Sequence, residues 1–179
     1  NMSNAKNVLY SGCSAGGLTT FLHADYVNRQ LKMMVSTDVK VLALADAMFS
    51  LNHNTFLNVP RFQNMMKWGY EAWNSSSSIN QRCLQHYGKT EGYNCMFGEY
   101  ASLFINTPTM IINSKYDSWQ QKAILGLNCS PKTCANNQMK QFWFDYGTTM
   151  VKAIHYVPSV HGIFLTNCVA HCQTGSGGD

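Results

Sequence analysis

Apolar residues fall into short continuous runs along the chain, each ended by a glycine, a proline or a polar residue. Four of these runs have the length of buried strands: 7–12, 39–45, 109–113 and 153–157. Between the runs, apolar positions recur at helical spacing. Residues 15–31, 97–105 and 135–153 are predicted helices, and a Met- and aromatic-rich stretch at 60–73 has near-helical spacing.

Alternation of strands with helices indicates an α/β fold with a mainly parallel sheet and flanking helices. In such sheets, reacting groups gather at the carboxyl ends of the strands. The residues that directly follow each predicted strand are therefore the first candidates for chemistry.

The composition narrows the class of protein. Hydrophobic residues make up 45% of the 179 positions, enough for a sizeable core, which excludes general disorder. The net charge of +4 is scattered rather than concentrated on one stretch, which argues against a nucleic-acid binder. No apolar run reaches the roughly 18–20 residues that would span a bilayer, so no transmembrane segment is expected.

Cysteines and glycosylation sequons favour a secretory or extracellular location. There are seven cysteines, and sequons occur at Asn74 and Asn128, besides one at the first residue. Cys83 and Cys95 bracket a glycine-containing loop and are a candidate disulfide. The odd count leaves one cysteine over, and its partner is expected to lie outside this sequence. The alternative is an intracellular protein with free buried thiols.

The clearest chemical motif is G-x-S-x-G at residues 12–16, between the first predicted strand and the first predicted helix. A nucleophilic Ser14 at this sharp turn has a strained backbone, and glycines at 12 and 16 are expected to relieve collisions. The N–H of Ala15 can then face a developing oxyanion. The alternative is a glycine-rich turn that binds phosphate or only packs.

A nucleophilic serine needs a base and an orienting carboxylate, in the chain order Ser, Asp or Glu, His for this fold. Asp117 follows the third predicted strand, although it also suits a helix N-cap. Asp46 ends the second predicted strand and competes for the same role. His161 and His171 both follow the fourth predicted strand, and local patterns do not separate them.

Three segments resemble the pectin acetylesterase and Notum carboxylesterase family. Residues 11–18 (SGCSAGGL) look like the nucleophile motif of plant pectin acetylesterases, residues 113–120 (NSKYDSWQ) like the segment with the acid, and residues 167–174 (NCVAHCQT) like the segment with the histidine. Leu44–Phe49 (LADAMF) is similar to the family's second strand end. The matches follow one order over roughly residues 8–174.

The resemblance implies an α/β-hydrolase-like fold and a triad of Ser14 as nucleophile, Asp117 as acid and His171 as base. It makes Ala15 the oxyanion-hole donor and leaves Asp46 as a pocket or structural residue. Cys83 and Cys95 resemble a cysteine pair of the plant members. No metal or cofactor is expected.

The resemblance also bears on domain organisation. The family has sheet strands and a glycine-rich oxyanion loop upstream of the serine, so residues 1–174 are expected to be the C-terminal portion of one catalytic domain. Residues 175–179 are expected to be a flexible tail. An upstream segment or an assembly partner is expected to complete the sheet.

The sequence therefore predicts a secreted serine carboxylesterase acting on an ester substrate, either an acetylated polysaccharide or another acylated molecule. One alternative is a non-catalytic structural or adhesion protein that keeps the fold. A second is a zinc module that uses Cys168, His171 and Cys172, with His161 as a fourth ligand, although the cysteine spacing lacks a clear second pair.

Overall fold

A computed structural model describes residues 2–175 of the chain. Its centre is a sheet of four strands, all parallel, in the order β1–β2–β3–β4. The strands are β1 (Asn7–Cys13), β2 (Lys40–Asp46), β3 (Thr109–Ser114) and β4 (Gly162–Thr166). The predicted α/β class with a parallel sheet is confirmed. The predicted tail lies outside the described residues, apart from Gly175.

Helices occupy the connections between the strands. They are α1 (Ala15–Met34), α2 (Arg61–Ala72), α3 (Gln81–Tyr87), α4 (Gly98–Ala101), α5 (Ser118–Ala123) and α6 (Asn137–Ile154). Among the described residues, none of the helices combines the length and the apolar character needed to cross a bilayer.

The strand order places all four carboxyl ends at one edge of the sheet, here called the carboxyl edge. Because consecutive parallel strands are neighbours, each connection returns the chain to the opposite edge before the next strand begins. In the β1–β2 pair, Cys13 lies opposite Asp46. β3 ends at Ser114 and β4 at Thr166. The residues that follow these four positions are consequently brought close together.

One cluster of buried side chains joins the sheet to the helices. It includes Phe21 of α1, Phe62 of α2, Ile111 of β3, and Trp143 and Met150 of α6. Burying a side chain of this size contributes about 1.5–3 kcal/mol. The sheet is therefore held rigidly by packing, and the loops at its carboxyl edge start from fixed positions.

The predicted strand at 153–157 is wrong. Residues 137–154 form one helix, α6, and the strand at this place in the fold is β4, at 162–166. The apolar residues of the predicted run pack on the core at the end of α6: Met150 is buried, Ile154 at helical spacing is partly buried, and Val157, just after the helix, is buried. The other three strands lie within one or two residues of their predicted bounds.

β1 lies at one border of the described sheet and is hydrogen-bonded on only one side among the described residues. Leu9 and Leu42 are opposite each other in the β1–β2 register, and their exposed fractions are 59% and 50%. A parallel strand with one unpaired side and exposed apolar side chains is an unusual surface for a globular protein. The further strand expected beside β1, from an upstream segment or a partner, stays a prediction.

Three disulfides connect six of the seven cysteines. Cys83 pairs with Cys95, as expected, Cys129 pairs with Cys134, and Cys13 pairs with Cys172. The last pair spans 159 residues, for which the chain-entropy model gives about 5 kcal/mol of stabilisation. Cys168 is exposed and has no disulfide partner among the described residues. The partner expected for the seventh cysteine stays a prediction.

His161 lies at the edge of the sheet opposite to the carboxyl edge. Its Nδ1 accepts the backbone N–H of Thr109, the first residue of β3, at 3.2 Å. Its side chain is buried, and burial lowers the pKa of the imidazole below the ordinary value of 6.5. His161 is therefore a neutral, packed residue. It directly precedes β4, at the edge of the sheet away from the serine turn.

This burial predicts a pH dependence of stability. As the pH falls below about 6.5, the unfolded chain takes up a proton at His161 before the folded protein does, so the free energy of unfolding falls. The contribution is fully present above that pH. The change His161→Gln keeps an acceptor for Thr109 and cannot titrate, so its unfolding free energy should decline less between about pH 6.5 and pH 5. Urea unfolding at several pH values measures this pH dependence, and His155→Gln, at an exposed position, is the control. Equal pH slopes of the unfolding free energy in wild type and His161→Gln would contradict the prediction.

Candidate active site

Ser14 stands at a strained turn between β1 and α1. Its backbone has φ 58° and ψ −122°, a region that residues other than glycine seldom adopt. Its N–H donates to the carbonyl oxygen of Asp46 at 3.0 Å, and its own carbonyl accepts the N–H of Leu18 at 3.0 Å. These bonds hold the turn, so the side chain projects from the carboxyl edge.

Two glycines make this turn sterically feasible: Gly12, as the motif suggested, and Gly17 in place of the expected Gly16. A Cβ on Gly12 would lie 2.5 Å from the backbone of Gly16. A Cβ on Gly16 would meet no described atom within 4 Å. The second close approach is at Gly17, where a Cβ would overlap the carbonyl oxygen of Asp46. The tight position follows from how α1 packs on the end of β2, which the five-residue pattern does not include.

A hydrogen-bonded chain of three side chains begins at Ser14. The Oγ of Ser14 lies 2.8 Å from Nε2 of His171. Nδ1 of His171 lies 2.8 Å from Oδ2 and 3.0 Å from Oδ1 of Asp117. A carboxylate can only accept, so the imidazole carries its proton on Nδ1, which leaves Nε2 as the acceptor for the serine hydroxyl.

Asp117 performs two tasks at once. It is the N-cap of α5, and its Oδ1 accepts the N–H groups of Trp119 and Gln120, both at 2.9 Å. The side chain is almost fully buried, at 1% exposed. The cap bonds fix the carboxylate in one orientation, so the contact with His171 is geometrically defined before any substrate binds.

Side chains next to Asp117 and His171 support the contact between them. Tyr146 is buried, and its hydroxyl donates to Oε1 of Gln120 at 2.6 Å. Burial, with a smaller contribution from the charge of Asp117, raises the pKa of Tyr146 well above its ordinary value, so the phenol stays protonated. The ring of Trp119 stacks on the imidazole of His171 with centroids 6.0 Å apart.

Ala15 is the first residue of α1, so its N–H has no intrahelical acceptor. It follows the serine directly and lies at the positive end of a 20-residue helix. The expected role of this N–H as an oxyanion donor stays a prediction.

Asp46 is not oriented toward the histidine. It is fully buried, and its Oδ2 accepts the N–H and the hydroxyl of Thr174, at 2.7 and 2.6 Å. Of the two candidate carboxylates, Asp117 contacts His171, whereas Asp46 contacts Thr174, three residues further along the chain. Asp46 therefore binds the main chain and the hydroxyl of Thr174, and it has no exposed surface that could line a pocket.

The structure does not assemble the zinc set. Cys172 is in a disulfide with Cys13, and His161 lies at the opposite edge of the sheet. The one metal-like grouping in residues 2–175 is Cys13, His171 and Cys172, and its two sulfurs are bonded to each other. No pair of free thiolates is left there to bind zinc.

Both sequon asparagines with a described structure are exposed. Asn74 precedes a short turn of helix after α2, and Asn128 precedes the Cys129–Cys134 disulfide. Each side chain is accessible to a glycan, and modification at Asn74 and Asn128 stays a prediction.

The comparisons with known proteins give one consistent family. The pectinacetylesterase family model matches residues 1–178. Two relatives from Arabidopsis thaliana are pectin acetylesterase 5, 30% identical over 97% of this chain and 42% of that protein, and pectin acetylesterase 7, 30% identical over 98% of this chain and 46% of that protein. The palmitoleoyl-protein carboxylesterase notum2 of Xenopus laevis is 24% identical over 95% of this chain and 35% of that protein. The chain thus spans less than half the length of these curated relatives.

Alanine substitutions at the adjacent Gly16 and Gly17 should have opposite effects on the free energy of unfolding. Gly17→Ala should lower the free energy of unfolding by about 1–3 kcal/mol, because its Cβ forces α1 away from the end of β2. Gly16→Ala should be neutral or stabilising by up to about 1 kcal/mol, because it adds a helix-favouring residue in open space. Thermal unfolding of the two variants beside wild type tests this, and a larger loss at position 16 would contradict the packing described.

Proposed function

The chain belongs to the pectinacetylesterase family, and on that premise we propose that it acts as a serine carboxylesterase with Ser14, His171 and Asp117 as its catalytic triad. The observation that carries the proposal is the continuous chain of hydrogen bonds from Asp117 through His171 to Ser14. Its members come from three loops at the carboxyl edge, in the order expected for such hydrolases.

The first half of the reaction forms an acyl-enzyme. His171 Nε2 takes the proton of the Ser14 hydroxyl as Oγ attacks the ester carbonyl carbon. The imidazolium that results is stabilised by the Asp117 carboxylate at Nδ1. It then gives its proton to the leaving alcohol oxygen as the ester C–O bond breaks. The acyl group remains on Ser14.

The second half releases the acid. His171 takes a proton from a water molecule as its oxygen attacks the acyl carbonyl carbon, and returns that proton to Oγ of Ser14 as the bond between Oγ and the acyl carbon breaks. In both halves the carbonyl oxygen carries negative charge, which the Ala15 N–H and the α1 N-terminus stabilise. We expect further donors from a protein segment upstream of residue 1. Each of these steps uses groups of the protein, so the reaction needs no cofactor.

For the substrate, we propose an acetyl ester on a polysaccharide. The Arabidopsis thaliana relatives named as pectin acetylesterases are more similar in sequence than the Xenopus laevis protein named as a palmitoleoyl-protein carboxylesterase. The long-chain acyl ester is the second candidate, since the Xenopus laevis relative also matches 95% of the chain.

We also propose that the protein is secreted and that residues 1–174 are part of one catalytic domain. Three disulfides and two exposed sequon asparagines suit an oxidising compartment. A non-catalytic structural role is the rival function. It has no need of a strained serine whose hydroxyl is hydrogen-bonded to a histidine, because that strain has a cost in stability.

Replacing the proposed nucleophile tests the function. The wild-type protein should hydrolyse an acetyl ester faster than the octanoyl ester of the same alcohol, and Ser14→Ala should lower kcat by several orders of magnitude, up to about 10⁶-fold. Labelling by a fluorophosphonate should occur in wild type and be absent in Ser14→Ala. Ser159→Ala, at an exposed turn outside the sequons, is the control. Unchanged hydrolysis by Ser14→Ala would refute the mechanism.

The double role of Asp117 predicts that two substitutions differ. Asn is also a good N-cap, so Asp117→Asn should keep α5, but its amide would face His171 and enforce the wrong tautomer. We expect kcat to fall about 10⁴-fold with little change in unfolding free energy. Asp117→Ala should lose activity and also about 1 kcal/mol of stability. Kinetics and thermal unfolding of both variants measure this, and an active Asp117→Asn would exclude Asp117 as the acid.

A further inference from the structure

His171 lies on a stretch without regular secondary structure, residues 167–174, here called the histidine segment. The segment follows β4 and crosses the carboxyl edge of the sheet as far as β1, a distance of about 14 Å at three strand spacings. Neither helix nor sheet geometry fixes a side chain on such a segment. The position of His171 must therefore come from the contacts of the segment itself.

The first contacts are with the end of β3 and the start of α5. The Ser114 hydroxyl donates to the carbonyl oxygen of Cys168, and the N–H of Ser118 donates to the carbonyl oxygen of Ala170 at 3.3 Å. These bonds lie on the N-terminal side of His171. They leave the chain on its C-terminal side to be held by other groups.

On that side, the Asp46 carboxylate binds Thr174 through two short hydrogen bonds. Asp46 is fully buried at the end of β2, and its Oδ1 has no hydrogen-bond partner among the described residues. A carboxylate buried there depends strongly on the donors it has. The carbonyl oxygen of Asp46 also accepts the N–H of Ser14. One residue thus touches the serine turn with its main chain and the histidine segment with its side chain.

The Cys13–Cys172 disulfide connects the same two places covalently. Cys13 immediately precedes Ser14, and Cys172 immediately follows His171. The Cα atoms of the two cysteines are 5.5 Å apart. Cys172 also has φ 61°, a backbone conformation that a residue with a side chain adopts only when its surroundings impose it.

We infer that Asp46 is a positioning residue, which acts with the Cys13–Cys172 disulfide to hold His171 at hydrogen-bond distance from Ser14. The inference rests on the proposed function, since it explains how His171 of that site is held in position. Releasing Thr174 would let the segment shift, and a shift of about 1 Å at a proton-transfer group lowers turnover about 10²-fold. Substrate contacts at the serine turn would be less affected.

The kinetic test compares substitutions at both ends of the Asp46–Thr174 contact. Asp46→Ala should lower kcat about 10²-fold with a smaller change in KM, and should move the acid limb of the kcat/KM pH profile. Thr174→Val, at an exposed position, removes one of the two hydrogen bonds and should lower kcat less. Thr174→Ser keeps both donors and should restore wild-type kcat. If Asp46→Ala does not fold, the two Thr174 variants decide the matter.

The chain provides a matched control for each element. Asp25 accepts the N–H and hydroxyl of Thr107, both at 2.8 Å, which repeats the Asp46 chemistry at the opposite edge of the sheet. Asp25→Ala should lower stability and leave kcat of the folded protein unchanged. Cys13→Ala/Cys172→Ala should lower kcat, whereas Cys129→Ala/Cys134→Ala should not. An equal loss of kcat in Asp25→Ala and Asp46→Ala would overturn the inference.

A second readout does not depend on ester hydrolysis. The low-field proton resonance of the His171 Nδ1–H, hydrogen-bonded to Asp117, should be present in the wild-type protein and lost or broadened in Asp46→Ala and Thr174→Val. If the full-length wild-type protein hydrolyses no ester, the proposed function fails, and the resonance still tests the positioning. If the variants keep both the wild-type resonance and the wild-type kcat, the positioning inference fails while the esterase proposal stands.

Discussion

Every feature of the candidate site depends on the parallel arrangement of the four strands. Because each strand runs in the same direction, the residues that follow Cys13, Asp46, Ser114 and Thr166 meet at one edge. A serine, two carboxylates and a histidine from distant parts of the sequence then lie within hydrogen-bond reach of one another or of a shared neighbour. The packed core beneath the sheet gives this edge its rigidity, which is the condition for a strained residue such as Ser14 to persist.

Polar groups at this edge are shared between structure and chemistry. Asp117 caps a helix with the same carboxylate that orients His171, and Asp46 supports the serine turn while it binds Thr174. A buried carboxylate that lacked such donors would destabilise the fold by several kcal/mol. These contacts therefore also hold residues 167–174 against the sheet, so the site and the fold stabilise each other.

Much of this could be predicted from the sequence, because its signals are local. Three strands, the strand-to-helix turn at Ser14 and the capping role of Asp117 each follow from patterns within a few residues. Local reasoning could not choose between Asp46 and Asp117 or between His161 and His171, since the choice depends on which loop crosses the sheet edge. The resemblance to a known family supplied Asp117 and His171, the pair that the structure brings into contact. Gly17, the Asp46–Thr174 bond and β4 were missed, because each is defined by packing between segments far apart in the chain.

The Cys13–Cys172 disulfide has a consequence for how the protein reaches its native state. The two cysteines are 159 residues apart and meet only when β1 and the chain after β4 have both taken their places. Parallel strands with long crossovers assemble slowly, so this pair forms late. Until then Cys168, four residues before Cys172, competes for the Cys13 thiol through a loop of almost the same length. Correct pairing therefore requires thiol–disulfide exchange, and the yield of folded protein depends on a compartment or an expression host that can isomerise disulfides.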